Sequence, residues 1–444
     1  MESGADARKA VPKETDVLII GGGPGGSTTG IVLAEMGHRV TVVEKARHPR
    51  FHIGESLLPA NLPLFRRLGV LEQVEAIGMQ KWGAEFVSKW HRRSQTFQFA
   101  ESWNKTMPYA FQVRRSELDE ILFKRAAHQG ADVIEGCRVR DVEFLPQDGG
   151  AVVTGEHEDG RTETWHAKFV VDASGRDTFL ANRMDAKRRN PRHNSASMYA
   201  HFKGALRYEE PKRAGLISIY WFEHGWLWFI PLADGATSVG AVVWPYYMKS
   251  RNCGVREFFL NTIAMCAPLA ERLKDAELSS EIEATGNFSY ECTLAHGKNF
   301  LMVGDAYAFV DPMFSTGVLL AMHSGIEAAI TIHTCLREPA KAARALKKFS
   351  HVMRDGLKEY TWFVYRVTNP TMREMFLAPR NILRMKEAML SLLAGDIFSG
   401  TPFKRSLNAF KVTYYILSLF HLRRSLTAFR RRAKNIQAFA DPTT

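Results

Sequence analysis

Residues Asp16–Lys45 read DVLIIGGGPGGSTTGIVLAEMGHRVTVVEK. Val17–Ile20 is a short apolar run of the kind a buried parallel strand requires. Gly21, Gly23 and Gly26 follow directly as G-x-G-x-x-G, and Ile31, Val32 and Ala34 continue with helical spacing. His38–Val43 reads as a second strand and ends at Glu44. The stretch therefore predicts one complete βαβ unit, with glycines where the backbone must turn tightly and approach a pyrophosphate. The helix start supplies unpaired N–H groups and a positive dipole end to that anion. Glu44 stands where an acid accepts hydrogen bonds from a ribose.

The rest of the 444-residue chain leaves room for two or more domains. Hydrophobic residues make up 45% and charged residues 24%, as in ordinary globular proteins. The first fifteen residues have no apolar core of a secretory signal, and no apolar run reads as long enough to span a bilayer. Cys137, Cys253, Cys266, Cys292 and Cys335 are scattered and without C-x-x-C spacing. This pattern points to reduced thiols in a cytoplasmic protein and to no metal site. The net charge of +12 is concentrated near the end. Between Phe398 and Ala440 there is no acid, against nine bases: Lys404, Arg405, Lys411, Arg423, Arg424, Arg430, Arg431, Arg432 and Lys434. No helix-turn-helix, zinc-finger or RNA-binding signature accompanies them, so nucleic acid is not expected.

After Glu44 comes FHIGESLLP (Phe51–Pro59), then a helix from near Pro59 and another over Leu71–Ala76. Met79–Trp90 alternates as one strand, with Phe97–Ala100 as its partner. Tyr109–Gly130 reads as a strand entering a helix capped by Ser116, with Asp119 three residues on. Further strands are expected at Ala131–Glu135, Val139–Phe144 and Ala151–Glu156, with a turn at Asp148–Gly150. Phe169–Thr178 (FVVDASGRDT) is an apolar strand stopping at Asp172 and Gly175. Residues 195–245 are rich in aromatic and β-branched residues and read as sheet. Arg256–Leu273 reads as helix, and Asn299–Leu336 as a strand, a loop and a long apolar helix. From Pro339 onward the pattern is helical, broken at Pro370, Pro379 and Pro402. The expected architecture is α/β: a Rossmann-type nucleotide-binding domain over 14–190 and 285–340, an inserted mostly β substrate domain over 80–110 and 191–284, and a helical C-terminal region over 341–444 with a basic tail.

These features together resemble the flavin-dependent halogenase branch of the FAD-dependent monooxygenases. The resemblance rests on the glycine turn, Glu44, the Asp172/Gly175 turn and Gly304-Asp305. It rests further on Trp226-Leu227-Trp228-Phe229-Ile230-Pro231, which matches the family's W-x-W-x-I-P, and on Lys81, placed like the family's essential lysine. It covers roughly residues 14 to 390. By local chemistry, Asp305 can accept from the ribityl hydroxyls of a flavin, and Arg50 and Arg115 can reach its phosphates. Backbone N–H groups at the helix start after Asp311-Pro312, at Ser315, Thr316 and Gly317, can hold a flavin edge or a halide ion. Trp226 and Trp228 alternate and so share one face of a strand. Lys81 lies among Trp82, Ala84 and Phe86, which predicts a desolvated amine with a lowered pKa.

The resemblance implies a FADH2-dependent halogenase of secondary metabolism. Reduced FAD and O2 oxidise chloride or bromide bound near Ser315, Thr316 and Gly317. The hypohalous acid passes a tunnel walled by Trp226, Trp228, Ile230 and Pro231, and Lys81 directs it onto an electron-rich aromatic. Tryptophan-specific members carry a glutamate just before the Ser-Thr-Gly run; here Phe314 stands there. That departure points to a phenol or pyrrole, free or bound to an acyl carrier protein. A separate flavin reductase is implied. The alternative of the same fold is an FAD-dependent monooxygenase, or an oxidoreductase resembling geranylgeranyl reductase. Within Thr413–Phe439, the residues Tyr415, Leu419, Leu422, Leu426 and Phe429 recur on one helical face. Three readings of that face stay open: packing on the catalytic body, docking of an acidic carrier protein, or peripheral membrane contact.

Overall fold

The structure is a computed structural model that describes residues 12–437 except 89, 92, 148, 287, 288 and 399–402. The turn residue expected at Asp148, the break at Pro402 and the tail beyond residue 437 lie outside the described residues.

The first strand, Lys13–Ile20, is the middle of a parallel sheet. Val40–Val43 flanks it on one side with Asp132–Ile134 beyond, and Thr162–Asp172 flanks it on the other. The far edge of Thr162–Asp172 is divided. Its first half pairs antiparallel with Ala151–His157, and its last three residues pair parallel with Phe300–Met302. Val17, Leu18 and Ile19 are wholly buried, as a central parallel strand covered on both faces demands. The glycine-turn helix, Pro24–Glu35, packs against the long helix Gly317–Arg337. The two approach closely because Gly25 and Gly325 present no side chains: a Cβ at Gly325 would lie 2.7 Å from the Gly25 carbonyl oxygen. In length and apolarity Gly317–Arg337 would suffice for a membrane span, contrary to the sequence expectation. It is instead a core helix, held between Pro24–Glu35 and Ala342–Val364.

The second sheet runs Arg93–Gln98, Gly83–Ser88, Ile217–Phe222, Gly225–Pro231, Thr237–Val243 and Ala196–Lys203, with Glu277–Leu278 and Glu283–Thr285 on the last strand's edge. Only Gly83–Ser88 and Ile217–Phe222 are parallel neighbours. The strand expected over Met79–Trp90 is in fact two. Met79–Lys81 pairs with Ala110–Gln112, the chain breaks at Trp82, and Gly83–Ser88 joins the large sheet. Alternation could not locate this break, because both pieces keep the period of two.

Other boundaries move for local reasons. Arg256–Leu273 divides into Val255–Ala264 and Ala267–Arg272, with Pro268 in the first turn of the second helix, where its missing N–H costs nothing. Ser116 does not cap its helix. Arg114 is the N-cap, and Asp119 is taken by arginines instead. The tail also divides, at His421, into Lys404–Phe420 and Leu422–Gln437. The residues that pack on the body are Leu407, Phe410 and Tyr414, whereas Tyr415, Leu419, Leu422, Leu426 and Phe429 are exposed. The helices from Ala342 onward close over the second sheet, where Phe376 meets Phe86 and Trp221 edge-on.

Candidate active site

A cavity of about 890 Å³ is bounded by both sheets. At one end lies the glycine turn. Gly21 has φ +104°, and a side chain there would strike the Ala173 carbonyl oxygen at 2.5 Å. A Cβ at Gly26 would lie 1.9 Å from the Gly21 oxygen, so this glycine serves helix–strand closure and does not face the cavity. Gly23 opens on the cavity, where the nearest group to an added Cβ is Arg50 Nη2 at 3.5 Å. Glu44 also lines it. Its two oxygens accept from the N–H groups of Gly22 (2.8 Å) and Ala46 (3.0 Å). Each oxygen keeps a lone pair for a hydroxyl.

Arg50 and Arg115 both line the cavity and share Asp119. Arg115 Nε and Nη2 donate to it at 2.9 and 3.0 Å, and Arg50 Nη1 at 3.0 Å. Burial alone would push Asp119 up, but Arg115 and then Arg50 outweigh it and hold the carboxyl below the usual range. Asp119 thus fixes two guanidinium groups along the cavity wall. Asp172 is placed otherwise than expected. Its oxygens accept from Ser174 N–H (3.0 Å) and Leu180 N–H (2.7 Å), and it is fully buried outside the cavity. It shapes the Ala173–Gly175 loop, which does line the cavity. Asp305 faces the cavity directly, and burial pushes its carboxyl up to about 6.

Asp311–Gly317 forms the next wall. Ser315 is in the left-handed region (φ +56°), which aims the chain into the N-terminus of Gly317–Arg337. The first amides of that helix have no carbonyl partner within it, and a Cβ on Gly317 would meet nothing within 4 Å. Pro312, Ser315, Thr316 and Gly317 all line the cavity. Phe314 does as well, but its ring packs toward Tyr360 and Phe363.

Trp226, Trp228 and Ile230 close the opposite side, while Pro231 ends their strand outside the cavity. The two indoles lie 5.9 Å apart, and Trp228 Nε1 donates to Ser238 at 3.2 Å. Space for the Trp228 ring comes from Gly240 on the neighbouring strand, where a Cβ would stand 2.2 Å from it. Lys81 lies behind the cavity wall at Ser56. Its amine is 1% exposed and does not itself line the cavity. It donates to Ser56 Oγ and to the Leu57 carbonyl, both at 2.9 Å, and Ser56 is part of the cavity wall. Burial lowers the amine to about 7. A neutral amine with two protons donated to those acceptors keeps its lone pair free.

Sequence reasoning missed the groups that hold these walls. Ser56 stands in FHIGESLLP, where nothing in its spacing marks a role. Next to it, buried Glu55 accepts from His201 Nε2 at 2.8 Å. Behind the Pro312 turn, Asp311 accepts from Met313 N–H (3.0 Å) and contacts His193 Nε2 (2.8 Å). His193 Nδ1 lies 3.1 Å from Arg432 Nη2. A guanidinium only donates, so Nδ1 accepts and the imidazole proton sits on Nε2, pointing at Asp311. Burial lowers the His193 pKa, in keeping with that neutral form. Asp311 was visible beside its proline. His193 and Arg432, far apart in sequence, carried no local signal.

The cavity walls fit a flavin dinucleotide: a dipole end and two arginines for phosphates, Glu44 for a ribose, and a desolvated Asp305 for hydroxyls. The fold and site define an FAD-dependent oxidoreductase of the Rossmann type. Residues 14–355 match the FAD binding domain family model. A 1H-pyrrole-2-carbonyl-[peptidyl-carrier protein] chlorinase of Pseudomonas fluorescens is 30% identical over 407 residues, 87% of this chain and 90% of that protein. Among solved structures, the myxobacterial chondrochloren halogenase CndH aligns with TM-score 0.75 and 31% identity, over 89% of this chain and 93% of that one. A flavoprotein/dehydrogenase from Cytophaga hutchinsonii aligns with TM-score 0.84 and 28% identity, over 92% and 100%. This chain belongs to the flavin-dependent halogenases, enzymes that use FAD and a halide.

Proposed function

We propose that this enzyme halogenates an electron-rich aromatic of the phenol or pyrrole type, free or carrier-bound, with Lys81 delivering the halogen. The observation that carries the reading is the buried Lys81 amine, lowered to about 7 and one serine behind the cavity wall. When bound and reduced by a separate flavin reductase, FAD supplies with O2 the two-electron oxidation that turns halide into hypohalous acid.

The chain's own residues do the rest. Arg50, Arg115 and the Gly21–Gly25 turn hold the phosphates. Glu44 and Asp305 accept from ribose and ribityl hydroxyls. The amides of Thr316 and Gly317, at the positive end of their helix, hold the halide. Trp226 and Trp228 keep the aromatic substrate away from the flavin and so suppress its direct oxygenation. Ser56 passes a polar contact from the cavity to Lys81, and the neutral amine there either donates a hydrogen bond to the oxygen of hypohalous acid or attacks its halogen, forming an N–halogen bond as the O–halogen bond breaks and the amine proton leaves with the hydroxide as water. No carboxylate occupies position 314, and a phenol or pyrrole activates itself without one. The carrier-bound pyrrole named for the Pseudomonas relative supports that substrate class.

The test is turnover of a phenol and pyrrole panel, free and carrier-bound, with FAD, NADH, a flavin reductase and O2, in chloride, in bromide and without halide. Mass spectrometry is expected to find halogen isotope patterns that vanish in Lys81→Met. Hydroxylated or reduced product formed without halide would replace the reading with an oxidoreductase of the same fold.

A further inference from the structure

We propose that the paired helices Lys404–Phe420 and Leu422–Gln437 form a docking surface for an anionic lipid bilayer. The inner side of the first helix is used by Leu407, Phe410 and Tyr414, which are buried in the body. Its outer side carries Val412, Ile416, Leu419 and Phe420 at helical spacing, and the second helix carries Leu422, Leu426 and Phe429 in the same way. None of these seven is covered: Leu419 is 68%, Phe420 81% and Phe429 69% exposed. Leu419, Phe420 and Leu422 lie together where the chain bends at His421. The turn Ile382–Arg384, packed against the first helix, adds exposed Ile382 and Leu383. So many large apolar side chains gathered in water mark a binding surface.

Charge selects the occupant. No acid occurs from residue 397 to 440, and Lys404, Arg405, Arg423, Arg430, Arg431 and Lys434 are exposed. Three other bases have partners on the body: Lys411 pairs with Glu359 (2.6 Å), exposed Arg424 with Glu374 (2.5 Å), and Arg432 donates to His193. The remaining arrangement is an apolar ridge at a helix bend with cations before and after it and no acid on either helix. That order matches a bilayer interface, with hydrocarbon beneath the ridge and lipid phosphates beside the cations. An acidic protein would satisfy the cations but would not require bulky side chains projecting from a bend. The inference does not rest on the halogenase reading.

The experiment is flotation of the full-length protein with vesicles of phosphatidylcholine, with and without phosphatidylglycerol. Binding to the anionic vesicles is expected, weakening as salt rises. Leu419→Glu/Phe420→Glu should reduce it about tenfold or more, and Arg430→Gln/Arg431→Gln should remove the preference for phosphatidylglycerol. Both variants should bind FAD as the parent does, since neither pair touches the cavity. Failure of the parent protein to float, or equal flotation of the Leu419/Phe420 variant, would overturn the proposal. So would capture by an acidic acyl carrier protein that the same variant loses, without vesicle binding.

Discussion

Lys81 shows how one residue's chemistry follows from its surroundings. An amine placed in a dry interior loses the hydration of its charged form, and its pKa falls to about 7. The neutral fraction therefore grows as pH rises through about 7, and product formation at saturating FADH2 should rise with it and level off above. Lys81→Arg keeps a charge at every such pH and should lose activity 100-fold or more, on the order of 3 kcal/mol, while FAD affinity stays within about twofold. Asp305 gives the opposite sign. Folding raises its pKa to about 6, so the stability carried by its protonated form is complete near pH 4 and lost as pH passes 6. Chemical denaturation of the flavin-free protein should therefore show a fall of up to about 3 kcal/mol across that range, and Asp305→Asn should flatten it. Gly26→Ala belongs to the same scale. Its Cβ would stand 1.9 Å from a carbonyl oxygen, so the turn must open, and FAD binding measured by flavin fluorescence should be lost.

At the scale of elements, the C-terminal helices have separate tasks. Lys404–Phe420 fills the core with Phe410, and Phe410→Ala should cost about 3 to 5 kcal/mol in denaturant unfolding. Leu422–Gln437 instead sends Arg432 to the His193–Asp311 pair behind the Pro312–Ser315 turn, where the halide is proposed to bind. Asp311 holds the Met313 amide, so this chain of hydrogen bonds sets the approach to Ser315. Arg432→Met, or a stop after His421, should raise the halide KM about tenfold, equivalent to ~1.4 kcal/mol, with FAD affinity unchanged. Lowering the pH should bring the parent enzyme toward the same behaviour, because a protonated His193 cannot accept from Arg432. A halide KM indifferent to Arg432 would leave this helix without a part in halide binding.

Over the whole molecule, one cavity collects residues from the first strand to the helix Ala342–Val364, and both sheets contribute to its walls. Ligand binding at such a junction ties the sheets together. FAD at 100 times its Kd should stabilise the fold by about 2.7 kcal/mol. What the sequence by itself determined was whatever depends on neighbours along the chain. The glycine turn, the apolar first strand, the acid ending the second strand, and the alternation that puts Trp226 and Trp228 on one face all follow from local backbone geometry and periodicity. The tertiary structure decided everything that depends on which distant segments meet. It divided Met79–Trp90 between two sheets, turned Asp172 and Gly26 away from the cavity, gave Asp119 to two arginines, and set Ser56 between the cavity and Lys81. It also left the apolar face of the tail in water. A spacing pattern records that a face exists, but burial, pairing and pKa are set by what packs against it, and the partners range from four residues away, as Arg115 is from Asp119, to 239, as Arg432 is from His193.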